Sequence, residues 1–205
     1  GIVRHELIKS VGVSGRLRLT SRSFAALECL VADLVRLRRA ASPDIRHPLY
    51  RLRAESWLES IIRRDIRGFD PSLDERYVYS QIPTWRADQR SVLDVLAVTR
   101  GGRLAVIEIK AAEDAGLPLQ GLDYWLRVDE ARRQGQFERR GLFRGISISD
   151  QSPLLYLVTP RLRFHRTFAE IARCLSPQVE AYRIGISTNW RAQLRVVSRE
   201  RVNSE

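Results

Sequence analysis

Residues 91 to 110 read SVLDVLAVTRGGRLAVIEIK. Two apolar runs, Val92 to Thr99 and Arg103 to Lys110, flank Arg-Gly-Gly, a tight-turn signal, and so predict two neighbouring strands of a hairpin. Runs made almost entirely of Leu, Ala, Val and Ile belong in the buried centre of a sheet. Asp94, Glu108 and Lys110 break that rule, because burying an unpaired carboxylate or ammonium is strongly unfavourable. Successive strand side chains alternate faces, so Glu108 and Lys110 share one face while Ile107 and Ile109 take the other. The hairpin brings Asp94 to the same end of the sheet as Glu108. Two buried acids side by side repel. A divalent cation with oxygen ligands resolves the repulsion, and Lys110 supplies a second positive group.

Upstream, Leu52 to Ile66 (LRAESWLESIIRRDI) has helical spacing, with Leu58, Ile61, Ile62 and Trp57 facing inward. Glu55 and Glu59 are four residues apart and share a helix face. The turn-rich stretch GFDPSLDE leads into a strand over Arg76 to Pro83. Downstream, a helix is expected over Pro118 to Arg140, then a central strand over Pro153 to Thr159 (PLLYLVT). A helix near Phe168 to Cys174 follows, with strands over Glu180 to Ser187 and Trp190 to Ser198. Helix, three strands, helix, strand and additions make an α/β or α+β fold with a mixed central sheet. Residues 1 to 50 read as a separate lead-in. They hold a strand-like VGVSGRLRLT, a helix from Ser23 to Arg39 with Leu27, Leu30, Val31, Leu34 and Val35 at helical spacing, and a Pro-broken linker. Residues 51 to 205 form the main domain.

Asp94, thirteen intervening residues and then Glu108-Ile109-Lys110 resemble the active-site signature of the PD-(D/E)XK nuclease superfamily, whose fold is restriction-endonuclease-like. That core is a helix, a three-stranded meander, a helix and a strand, the order read from Leu52 to Thr159, about half of the chain. Gln120 and Tyr124 in QGLDY match the QxxxY element of the RecB-like and Cas4-like branches. Leu93 stands where the signature often has proline. The resemblance implies a metal-dependent nuclease that hydrolyses phosphodiester bonds, DNA being favoured over RNA. It implies Mg²⁺ or Mn²⁺ held by Asp94, Glu108 and the Ile109 carbonyl, with Glu59 as first choice and Glu55 as second for the helix carboxylate. Lys110 would orient the attacking water, and Gln120 and Tyr124 would position the substrate. The alternative is a nucleic-acid-binding module of the same fold, inactive or activated by a partner, in a homodimer or larger assembly.

Several of these residues also have plainer readings. Glu59 and Arg63 make an ordinary i,i+4 ion pair, Gln120 and Tyr124 a polar helix edge, and Asp88, Gln89, Glu113 and Asp114 solvated loop residues. The 205 residues carry a net charge of +11, which suits a polyanionic partner, and Lys occurs only at Lys9 and Lys110 among 35 basic residues. Retention of Lys at position 110 points to a compact ammonium rather than the guanidinium fork. The Arg-rich stretches 131–144 and 160–166 are either a phosphate-binding surface or a solvated face, with Tyr124, Trp125 and Phe137 available for packing or stacking. Cys29 and Cys174 lack metal or redox spacing and are expected as free buried thiols. His5, His47 and His165 are scattered. No apolar run reaches a membrane span and no signal-peptide pattern is present, so a cytoplasmic protein without membrane contact is expected. The absence of Met and the start at Gly1 suggest a portion of a longer protein.

Overall fold

The computed structural model describes residues 21–83 and 92–202. The VGVSGRLRLT stretch, His5, Lys9, Asp88 and Gln89 lie outside the described residues. Contacts divide the chain into two compact units, Gly1–Ala54 and Glu55–Glu205.

In the first unit, α1 (Ser21–Leu37) packs on the single turn of α2 (Pro48–Arg51). Arg38 ends α1 two residues before the expected Arg39, because its guanidinium is spent on the Leu49 and Leu52 carbonyls at the end of α2. His47 caps α2 through Nδ1, which accepts the Leu49 N–H at 3.1 Å. Val31 and Val35 do not join a buried face; they are 50% and 72% exposed, whereas Leu37 is buried.

The second unit begins one residue into α3 (Ala54–Arg64), which α4 (Ile66–Phe69) follows. The single helix expected over Leu52 to Ile66 is therefore interrupted twice. Arg53 takes a positive φ of 46° before α3, and Asp65 breaks the ladder after it by capping α4, its Oδ1 accepting the Gly68 N–H. Leu58 and Ile62 are fully buried, while Trp57 is half-buried and meets Trp190 edge-on at 5.7 Å.

Six strands form one sheet in sequential order: β1 (Leu73–Pro83), β2 (Val92–Thr99), β3 (Leu104–Ile109), β4 (Leu154–Pro160), β5 (Ala181–Ile186) and β6 (Val196–Arg201). β1, β2 and β3 are an antiparallel meander, β3, β4 and β5 run parallel, and β6 returns antiparallel. The parallel step from β3 to β4 needs a crossover, which α5 (Leu117–Arg133) supplies. Gly135, at φ +60°, ends that helix before the expected Arg140 and starts the short α6 (Gln136–Arg139). α7 (Phe168–Ala172) lies between β4 and β5. The strand expected to begin at Trp190 begins at Val196, since residues 189–193 form a turn closed by Ala192 N–H to the Asn189 carbonyl.

Two glycines let these layers close. Gly102 in the β2–β3 turn sits at φ +83°, and a Cβ there would run into the Ser147 carbonyl oxygen. Gly121 lets α5 approach β4, because a Cβ would stand 2.5 Å from Leu157 Cδ2. The resulting core joins Leu96, Val98, Leu104, Val106, Leu155 and Leu157 to Tyr124, Trp125 and Val128 of α5. No helix among the described residues is long and apolar enough to cross a membrane.

Candidate functional site

β2 and β3 pair Val98 with Leu104, Ala97 with Ala105, Leu96 with Val106 and Val95 with Ile107. One further residue of that register sets Asp94 opposite Glu108, on the face covered by α5. There the ladder is replaced by a side chain: the Ile109 N–H donates to Asp94 Oδ2 at 3.0 Å. The N–H and C=O of a strand residue point to the same edge, so the Ile109 carbonyl also faces the β2 side. Lys110 is fixed by its own N–H, which donates to the Val158 carbonyl of β4 at 2.9 Å. Its Nζ lies 3.6 Å from Glu108 Oε1 and 3.8 Å from Asp114 Oδ2. The hairpin thus brings Asp94, Glu108 and Lys110 together as the alternation predicted.

Glu108 is fully buried, and neither carboxylate oxygen accepts a hydrogen bond among the described residues. Burial, then the neighbouring Asp94 charge, pushes its carboxyl up to about 9, against the pull of Lys110. Burial also pushes Asp94 up to about 6; the Ile109 N–H and Lys110 oppose the shift, and Glu59 and Glu55 reinforce it. Burial alone would lower Lys110, but the charges of Glu108, Glu55, Asp114 and Asp94 outweigh it and hold the ammonium above its usual range. Among the described residues, the acids around Lys110 outnumber it.

Glu55 and Glu59 sit in different surroundings. Glu59 is buried and 3.7 Å from Arg63, the ion pair expected of i,i+4 neighbours, while Glu55 is exposed and contributes to the field at Asp94, Glu108 and Lys110. On α5, Gln120 Nε2 donates to the Tyr124 hydroxyl at 3.3 Å. Burial raises the Tyr124 phenol, with the Glu108 and Asp94 charges adding to it, so this pair stands beside the acids.

The donor chemistry fits a hard divalent cation. Glu108 offers two buried oxygens without hydrogen bonds, Asp94 keeps Oδ1 outside the Ile109 bond, and the Ile109 carbonyl faces the same edge. Among the described residues no three His, Cys, Asp or Glu side chains converge on one point. Two carboxylates suit Mg²⁺, which retains several waters, better than an all-protein cage of the kind Ca²⁺ uses.

Asp114, read from sequence as a solvated loop residue, does lie in a loop with its side chain 41% exposed, and it also comes within 3.8 Å of the Lys110 ammonium. Its Oδ1 accepts the Gly116 N–H at 2.7 Å while Oδ2 faces the ammonium. The signal was its i+4 spacing from Lys110, which only a turn into α5 makes meaningful. Glu113 pairs with Arg163 at 3.9 Å. The rings of Tyr124, Trp125 and Phe137 are buried in packing and not offered for stacking, while the Tyr124 hydroxyl keeps its polar contact with Gln120; Trp125 Nε1 donates to the Pro153 carbonyl at 2.7 Å. Much of the 131–144 charge is internally engaged, Arg132 and Arg133 with Asp129 and Arg139 with the Gln134 carbonyl. Cys29 and Cys174 are free but exposed, because both fall on the outer side of their segments. His165 Nδ1 is 2.8 Å from Thr167 Oγ1, a local contact far from any metal spacing.

No family profile, no curated protein and no solved structure matches the chain.

Proposed function

We propose that Glu55–Glu205 is a nuclease of the PD-(D/E)XK kind with a restriction-endonuclease-like core, using Mg²⁺ or Mn²⁺ to hydrolyse phosphodiester bonds, most readily those of DNA. One observation carries this reading: a fully buried glutamate with no hydrogen bond to either oxygen, beside a second acid and a lysine at the mouth of a hairpin. The order of α3, the β1–β3 meander, α5 and β4 agrees with the core that the resemblance implies.

Asp94, Glu108 and the Ile109 carbonyl would hold the cation, with Glu55 or Glu59 reaching it through water. When bound, the cation supplies Lewis acidity at the phosphate and acidifies the attacking water. Lys110, steadied by Asp114, donates to that water and to the phosphate oxygens as charge builds on them. The pair Gln120 and Tyr124 holds the strand in line for attack. The surplus of arginine supplies sequence-independent affinity for backbone phosphates.

The test is a Mg²⁺ and Mn²⁺ titration of cleavage on labelled single- and double-stranded DNA and RNA, with Asp94→Ala and Lys110→Ala purified in parallel. Metal-dependent cutting absent from both variants supports the reading. Equal cutting by wild type and Lys110→Ala refutes it. The two-carboxylate set also suits a module that binds without cutting or waits for a partner. Tight metal-independent DNA binding with no cleavage would favour that alternative.

A further inference from the structure

We propose that Thr159 and Arg161, on and just beyond β4, form a subsite for a backbone phosphate flanking the bond that is cut. This rests on reading the neighbouring acids as a phosphodiester-hydrolysing site.

Paired residues of parallel strands project from the same face, and Glu108 pairs with Leu157. Thr159, two residues further, therefore shares the face of Glu108 and Lys110 and comes level with Lys110, about 5 Å away across the ladder. Thr159 is 1% exposed, and its buried hydroxyl finds no hydrogen-bond partner among the described residues. An unpaired buried hydroxyl costs stability, and valine would fit the same space without that cost. Such a group in line with the catalytic lysine is accounted for if a ligand oxygen completes it.

Arg161 gives the subsite its charge. It is exposed, no acid or carbonyl among the described residues takes its guanidinium, and its stem lies across Gly185 of β5. A Cβ at Gly185 would crowd Arg161 Cβ at 3.3 Å and collide with Ser198 Oγ. Gly185, the pairing partner of Thr159, thus leaves a floor over which Arg161 is laid. Lys110, the Thr159 hydroxyl and Arg161 follow one another across the ends of β3, β4 and β5. Carboxyl ends of parallel strands are where open α/β sheets bind ligands, and donors one strand apart suit successive phosphates of one chain.

The test measures binding of a labelled DNA oligonucleotide to the full chain in EDTA, by anisotropy over a range of salt, beside thermal melting. Arg161→Gln is expected to weaken binding about tenfold and reduce the slope of log Kd against log salt by about one. Arg201→Gln, the same charge change at the opposite end of the sheet, should retain affinity. Thr159→Val is expected to melt higher yet bind several-fold more weakly, and Thr159→Ser to bind as wild type. A more stable Thr159→Val with unchanged affinity, or an Arg161→Gln no different from Arg201→Gln, overturns the subsite. Metal-dependent cutting by the wild type with unchanged binding in the variants overturns the subsite alone. Weakened binding in the variants with no cutting under any metal supports a backbone-phosphate contact at Thr159 and Arg161 but overturns the nuclease reading, and with it the place of that contact beside a cut bond.

Discussion

Glu108 sets the pH behaviour of the metal-free protein. Its carboxyl, with that of Asp94, is raised above the ordinary value, so the folded state holds the protons more tightly than the unfolded chain. The stabilisation from that protonation is complete below about pH 4 and is lost as pH rises through about 6 for Asp94 and about 9 for Glu108. Melting in EDTA should therefore shift to lower temperature between pH 5 and pH 9, as followed by circular dichroism. Added Mg²⁺ should raise the melting temperature more at pH 8 than at pH 5, because only ionised acids bind it. Glu108→Gln should stabilise the metal-free protein at pH 8 by about 1–4 kcal/mol and abolish the Mg²⁺-induced shift. A flat pH profile in EDTA would sink this account. Lys110→Ala should leave the fold cooperative while lowering cleavage at least 100-fold, and Asp114→Ala should fall between it and wild type. The acids and the lysine were legible in the sequence because each interrupts an apolar strand. Asp114 was not, since a lone acid in a loop has no meaning until the turn brings it to Lys110.

Each element's place depends on contacts a few residues wide. The β2–β3 hairpin needs Gly102 at positive φ beneath residues 147–149, where the Ser149 N–H donates to the Gly102 carbonyl at 2.8 Å. Gly102→Ala is expected to destabilise the fold by about 1–3 kcal/mol in urea unfolding, from the strained φ and the crowded carbonyl. Gly101→Ala should cost far less, since the nearest atom to its Cβ is Thr99 Oγ1 at 3.8 Å and its φ is ordinary. The tight turn itself was readable from Arg-Gly-Gly, and β2 begins and ends where periodicity put it. Helix ends were less readable. Arg53, Asp65 and Gly135 break helices whose apolar spacing runs on past them, because a φ value or a cap decides a terminus and periodicity does not register either. The same limit explains the buried Trp125 and Phe137. An aromatic residue in an Arg-rich segment looks available for stacking until α5 and its neighbours close over it.

At the scale of the molecule, the charge of +11 is the strongest statement about a partner. Affinity for a nonspecific DNA duplex should fall about 40-fold between 50 and 200 mM salt if three phosphates are contacted, as fluorescence anisotropy would measure. Salt-insensitive binding would remove the polyanion argument. Not all of that charge is at hand, however, since Arg103, Arg132 and Arg199 are committed to Glu180, Asp129 and Asp70. The sequence by itself determined the mixed α/β class, the central hairpin and the three residues at its mouth. These follow from local physics: strand alternation, a two-glycine turn and the cost of burying charge within a few positions of one another. Only the tertiary structure decided the sequential six-strand order, the burial of Glu59 against the exposure of Glu55, the exposure of both cysteines, and the alignment of Thr159 and Arg161 with Lys110. Those depend on register between strands whose paired residues lie 49 positions apart for β3 and β4 and 26 for β4 and β5, and on how closely α5 approaches β4, quantities that no local pattern encodes.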